Sequence, residues 1–366
     1  TEWWYFTGHL QAQDGRRFGY QLTFFRTALA PPGEMPLRSS AWATDQLYMA
    51  HFTVTDVESG RFYPFERFSR GALGLAGAQA EPFRVWLEDW SLESVDLSGA
   101  DADGIWPLRL RASSVPSLSS PTGENGSEDD GPPITLDLQL HPEKPPVFQG
   151  EDGYSRKGPD PGNASYYYSY TRLAGAGSLR LGQERFTVEA TSWLDREWST
   201  SALGPDLEGW DWFSLQLDGP ENGGSELMFF RLRRRDGEPD PYDDVALVAP
   251  DGSHYRLPPE AMELEVLERW QSPDGTATYP VAWRLRLAAP SGDATDISSS
   301  SSGLGLELPV ELQINALIPN QELRLAVRYW EGAVEVEGTA ADGSPVTGRG
   351  YVELTGYASE AAGLPR

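Results

Sequence analysis

"GWDWFSLQL", residues 209–217, decides the fold, because the chain has already written a version of it as "EWWYFTGHL" at 2–10. In an extended strand successive side chains point to opposite faces. Asp211, Phe213, Leu215 and Leu217 therefore share one face, and Trp210, Trp212, Ser214 and Gln216 share the other. Laid on the earlier stretch, Trp210 falls on Trp3 and Phe213 on Phe6. The match continues outward in order. "QLTFFR" (21–26) meets "ELMFFR" (226–231), and "FTVTDVESGRFY" meets "VALVAPDGSHYR". "WPLRLRA" meets "WRLRLAA", "TLDLQL" meets "PVELQI", and "LRLGQERFTVEATSWLD" meets "VEVEGTAADGSPVTGRGYVELTGY". Ordered self-similarity of this kind marks an internal duplication.

The repeated unit is built of short alternating runs separated by glycine and proline, the pattern of antiparallel strands. The fold class expected is all-β, with two tandem antiparallel barrel domains over 1–205 and 206–366. The boundary falls near "STSALGPDLEG" (199–209), and the polar stretches 114–133 and 291–303 read as surface loops. The length of 366 residues suits two domains, and 39% hydrophobic residues with 13 tryptophans supply their cores.

The formal charge is −26, which argues against nucleic acid and anionic membranes as partners. Only Lys144 and Lys157 are lysines; arginine supplies the remaining positive charge. Cysteine is absent, which removes thiol chemistry and cysteine metal sites. No apolar run is long enough for a transmembrane helix. The first residue, Thr1, already lies in a strand pattern, so an N-terminal piece such as a secretory signal is expected to precede it.

"TEWWYFTGHL", "YYYSYTRL", "SWLDREWSTSAL", "GWDWFSLQL" and "GRGYVELTGY" resemble the AttH-like family, which groups with the bacterial carotenoid 1,2-hydratases. The resemblance implies lipocalin-like (calycin) barrels, an exported periplasmic or secreted protein, and a lipophilic lipid or isoprenoid-type ligand. It also implies the company of ABC-transporter components, beside which some members are encoded. Related fungal proteins cyclise polyenes. In the hydratases the segment matching "LDREWST" reads Asp-His-Asn-Trp, so the Trp carries over as Trp198 and the Asp as Asp195. Their His is replaced by Arg196, which stays protonated and cannot relay a proton near neutral pH. The Tyr and Asp that they use on a later strand find no carboxylate in "MFFRLR" (228–233).

Asp211 is the one ionisable group in an apolar row. A carboxyl desolvated there has a raised pKa and suits a general acid. The other reading is a structural carboxylate at a strand mouth, bonded to backbone or an arginine. Trp193, Asp195 and Glu197 face one way in "SWLDREWST", and buried charges need partners, so an arginine is expected beside Asp195 or Glu197 at the domain junction. Trp3, Trp4, Trp210 and Trp212 supply aromatic faces that stabilise a cation. Tyr166, Tyr168 and Tyr170 share a face suited to an elongated apolar ligand, and His51 shares a row with Met49 and Thr53. No HExxH spacing, GxSxG elbow or nucleotide loop occurs, so no metal or cofactor is expected and serine hydrolysis has no visible chemistry. Three readings stay open: a lipocalin-like binder of a lipophilic molecule, a hydratase-like enzyme using Asp211 and residues 195–198, and an interaction module.

Overall fold

Strands with a period of two make up the regular secondary structure of the described residues, apart from one 3-10 turn at Pro259–Ala261. The computed structural model describes residues 1–31, 39–95, 104–114, 131–160, 162–200, 203–219, 224–288, 306 and 308–358. The stretch 291–303, and all of 114–133 except 114 and 131–133, lies outside them. The first sheet begins with β1 (Glu2–Ala12), β2 (Arg17–Ala28), β3 (Gln46–Asp56) and β4 (Arg61–Arg70). Four short strands follow: β5 (Ala76–Gln79), β6 (Arg84–Leu87), β7 (Trp90–Ser94) and β8 (Leu108–Ser113). It ends with β9 (Ile134–Pro142), β10 (Val147–Phe148), β11 (Tyr154–Arg156), β12 (Ala164–Leu181) and β13 (Glu184–Ser199).

The second sheet opens with β14 (Leu207–Leu217), β15 (Glu226–Arg234), β16 (Asp244–Val248) and β17 (His254–Leu257). It continues through β18 (Met262–Gln271), β19 (Thr278–Leu287), β20 (Val310–Ala316), β21 (Glu322–Arg324), β22 (Arg328–Thr339) and β23 (Pro345–Thr355). The main paths run β4-β3-β2-β1-β13-β12-β9-β8-β7-β6-β5 and β17-β16-β15-β14-β23-β22-β20-β19-β18. The two orders correspond strand for strand from β4 to β7 and from β17 to β18. Each of the six matched sequence pairs falls on corresponding strands. The protein is thus all-β, with one nearly closed barrel and one half-barrel, both antiparallel.

Alternation along β1 and β14 sends one face of each into its own core. Trp4, Phe6, Leu10 and Ala12 join the first core, and Phe213, Leu215 and Leu217 the second. The opposite faces are buried too. Tyr5 and Thr7 on β1, and Trp212, Ser214 and Gln216 on β14, are almost wholly enclosed because the barrels pack against each other there. This layer is polar, and hydrogen bonds cross it. The Gln216 amide donates to the carbonyls of Thr171 (2.7 Å) and Ser192 (3.0 Å), and the Tyr5 hydroxyl donates to Glu331 (2.6 Å). Gln21 donates to the Tyr329 hydroxyl at 3.0 Å, which also lies 2.7 Å from His51 Nδ1. The backbones approach closely at Gly19, where a Cβ would sit 2.7 Å from that of Ala333.

One ion cluster pins the layer. Glu226, wholly buried, accepts from Lys144 Nζ at 2.8 and 2.9 Å and from Arg172 Nε at 2.6 Å. Lys144 also donates to the carbonyls of Gly224 (2.8 Å) and Ala249 (2.9 Å). Removing the charge of Glu226 strands two buried cations without their anion, which costs about 3–5 kcal/mol. Glu226→Gln is therefore expected to lower unfolding stability by roughly that amount in denaturant titration. Lys144→Met, Arg172→Met and Glu226→Leu together, which removes all three charges, is expected to cost less than Glu226→Gln alone.

Candidate active site

The polar layer opens at one end into a pocket of about 130 Å³. Strand register explains its composition. Tyr5 pairs with Asp195 across β1 and β13, and Trp212 pairs with Glu353 across β14 and β23. Counted from Phe6 and Phe213, Tyr5 therefore corresponds to Trp212 and Asp195 to Glu353. By the same count Trp3 corresponds to Trp210, and Phe25 to Leu232. All four corresponding pairs line the pocket. Tyr5 and Trp212 meet edge to face, with centroids 5.2 Å apart. The pocket thus sits where the two copies of the repeat face each other.

Its acids are held by donors from the surrounding strands. Asp195 Oδ1 accepts from Ser169 (2.6 Å) and from the Trp193 indole (2.6 Å), and Oδ2 accepts from the Tyr167 hydroxyl. Tyr167 in turn accepts from the Trp212 indole at 3.1 Å. Glu353 Oε2 accepts from the Trp210 indole at 2.7 Å, which leaves its second oxygen uncommitted among the described residues. Burial pushes the Asp195 carboxyl up to about 7 despite its donors, with the charge of Glu197 adding to the effect. Burial likewise pushes Glu353 up to about 7; the Trp210 bond opposes this, and the charges of Glu197 and Asp195 reinforce it. Burial raises Glu197, against the nearby Lys157. It also lowers Lys157, against the pull of Glu197. Two carboxyls poised near neutrality beside aromatic faces can give or take a proton and shelter a developing cation.

Of the side chains singled out in the sequence, Trp3, Asp195, Glu197, Trp210 and Trp212 line this pocket. The others lie elsewhere. The Asp211 carboxyl faces the second barrel, 3.0 Å from Arg233 and accepting from Tyr357 at 3.0 Å. Arg196 pairs with Glu2 and lies over Trp4, 4.1 Å from that ring's centre, and Trp4 belongs to the first core. Trp198 is 38% exposed and stacks on Tyr166, which is 56% exposed. Tyr170 packs on Trp106 inside the first barrel, with Tyr168 at its edge. His51 is buried between the barrels, its Nε2 3.1 Å from Glu66. The expected arginine beside Asp195 or Glu197 is absent from the described contacts. Hydroxyl and indole donors satisfy Asp195, and the cation near Glu197 is Lys157, 3.9 Å away.

Tyr5, Phe25, Lys157, Tyr167 and Glu353 were not singled out from sequence, yet all line the pocket. Tyr167 lies on the face of β12 opposite to the tyrosine row that drew attention. Glu353 was within reach of the repeat: setting "SWLD" on "GYVE" aligns it with Asp195.

Residues 1–357 match the family described as AttH-like. No curated protein matches the chain. Among solved structures, an AttH candidate from Nitrosomonas europaea is 33% identical, with 97% of this chain and 92% of that one covered and a TM-score of 0.71. Kievitone hydratase from Nectria haematococca shares the fold at 15% identity, with 96% and 88% covered and a TM-score of 0.64. CghA does so at 14% identity, with 100% and 90% covered and a TM-score of 0.51.

The raised carboxyls predict a sign for pH dependence. A carboxyl whose pKa is higher in the folded state stabilises the fold below its unfolded pKa and loses that contribution as pH rises through the folded value. Asp195 and Glu353 should each make stability fall between about pH 4 and 7, by up to about 1.4 kcal/mol per pH unit. Asp195→Asn and Glu353→Gln are each expected to flatten that slope relative to wild type in denaturation curves collected across this range.

Proposed function

The chain belongs to the AttH-like family, and from that premise we propose that it is a hydratase-like enzyme, adding water across a carbon–carbon double bond of a lipophilic substrate held between the barrels. The observation that carries this reading is the joint presence, in one aromatic-walled pocket, of Asp195 and Glu353 with carboxyls pushed up to about 7. Glu353, with one oxygen uncommitted, is the group that transfers the proton. Asp195 is occupied by three donors and acts with Tyr167 as a fixed electrostatic wall. Trp3, Trp210, Trp212 and Tyr5 wall the reacting carbons with aromatic rings. The likeness in fold to a protein named as a hydratase lends support.

The volume bounds what enters. A cavity of about 150 Å³ holds a molecule the size of benzene, so about 130 Å³ takes a group of similar bulk. A branched end of an isoprenoid-type molecule fits, and the remainder of a longer substrate lies outside.

The test is incubation in isotopically labelled water with a panel of isoprenoid alkenes, followed by mass spectrometry of the products. Wild type is expected to incorporate labelled oxygen. Glu353→Gln should lose turnover by about 10²-fold or more while still quenching tryptophan fluorescence on ligand addition. Asp211→Asn, altered outside the pocket, should keep its turnover. Ligand retention without any oxygen incorporation would make the protein a lipophile carrier instead.

A further inference from the structure

The two lysines are held very differently. Lys144 Nζ is saturated by two carboxylate oxygens and two carbonyls. Lys157 Nζ has one hydrogen bond, to Ser155 Oγ at 3.0 Å, and its nearest carboxylate, Glu197, is 3.9 Å away, beyond hydrogen-bond reach. Its other close neighbour is the face of Phe230, with 3.7 Å from Nζ to the ring centre. An amine has three N–H bonds when protonated, so Lys157 keeps donors uncommitted. It is the one lysine or arginine side chain lining the pocket among the described residues.

A donor in that position calls for an acceptor on the ligand. Asp195, Glu197 and Glu353 line the same pocket and would repel an anion, which favours a neutral oxygen. Resting on the hydratase reading, we infer that Lys157 donates to a carbonyl oxygen of the substrate, and that the double bond receiving water is conjugated to that carbonyl. Carboxyls poised near neutrality match the proton transfers of a conjugate addition. The water oxygen bonds to the β-carbon as Glu353, in its carboxylate form, takes the water proton. The carbon–carbon π pair shifts to form an enolate, whose oxygen Lys157 stabilises. The α-carbon then takes the proton back from Glu353. One water is added and the protein returns to its starting state.

Mesityl oxide, a small branched enone, and the hydrocarbon of the same skeleton without the carbonyl serve as probes, with binding read by tryptophan fluorescence and hydration by loss of the enone absorbance. A hydrogen bond to a charged group is worth about 1.5–3 kcal/mol, so wild type should prefer the ketone by roughly tenfold or more. Lys157→Met should erase that preference, and Lys157→Arg should keep part of it. No preference in wild type, or an equal preference in Lys157→Met, overturns the inference. A Lys157-dependent preference without hydration by wild type supports carbonyl binding and counts against the hydratase reading alone.

Discussion

Where they cross the junction, four strands, β1, β13, β14 and β23, are largely buried on both faces. One face of each enters an apolar core, and the other is covered by the neighbouring barrel. A polar side chain on such a strand must find a protein partner or carry an unmet desolvation cost. Over most of the layer the partners exist: Gln216 reaches carbonyls across the junction, Tyr5 reaches Glu331, and Lys144 and Arg172 enclose Glu226. At the end where β1 begins and β13 and β23 finish, the layer gapes. There burial raises the proton affinity of Asp195 despite its three donors, and of Glu353 despite the Trp210 indole. Adhesion and chemistry thus come from the same enclosed polar face.

That arrangement also decided what could be read from the sequence. The alternation of β1 and β14 and the ordered matches between halves made the strands and the duplication legible, because both depend on local periodicity. Alternation alone does not reveal that the polar Thr7, Ser214 and Gln216, on the faces opposite the cores, are covered by a second barrel. Asp211 stood out as the sole charge in an apolar row. Its row proved to face the second barrel, where Arg233 and Tyr357 hold it. Trp210 and Trp212, its neighbours on the other face, reach the pocket instead.

"YYYSYT" shows the same limit. Period two says that Tyr166, Tyr168 and Tyr170 are separated from Tyr167 and Ser169, but not which set meets the other barrel. Ring count pointed to the first set, and the packing uses the second. Lys157 and Glu353 carry no local signal of function. Lys157 lies in a loop just past β11, and Glu353 in a closing strand whose partner across the pocket is encoded far upstream. Only the pairing of β1 with β13, and of β14 with β23, brings their neighbourhoods together.

The corresponding pairs around the pocket have a further consequence. Two identical barrels meeting through this face would form an isologous dimer, in which every contact residue occurs twice. An acid tuned for proton transfer would be forced on both copies, and so would any lysine opposite it. Joined in one chain, the copies are released from that identity. Asp195 and Glu353 have kept their acidity on both sides, while Ser169 stands opposite Asp195 where the second copy sets Glu331 opposite Glu353. Likewise Tyr167 pairs with Glu197 in the first copy, where Tyr329 pairs with Thr355 in the second. Covalent fusion of the barrels therefore permits an asymmetric site, able to bind a ligand whose two ends differ, at a place where a self-complementary assembly would offer the same face twice.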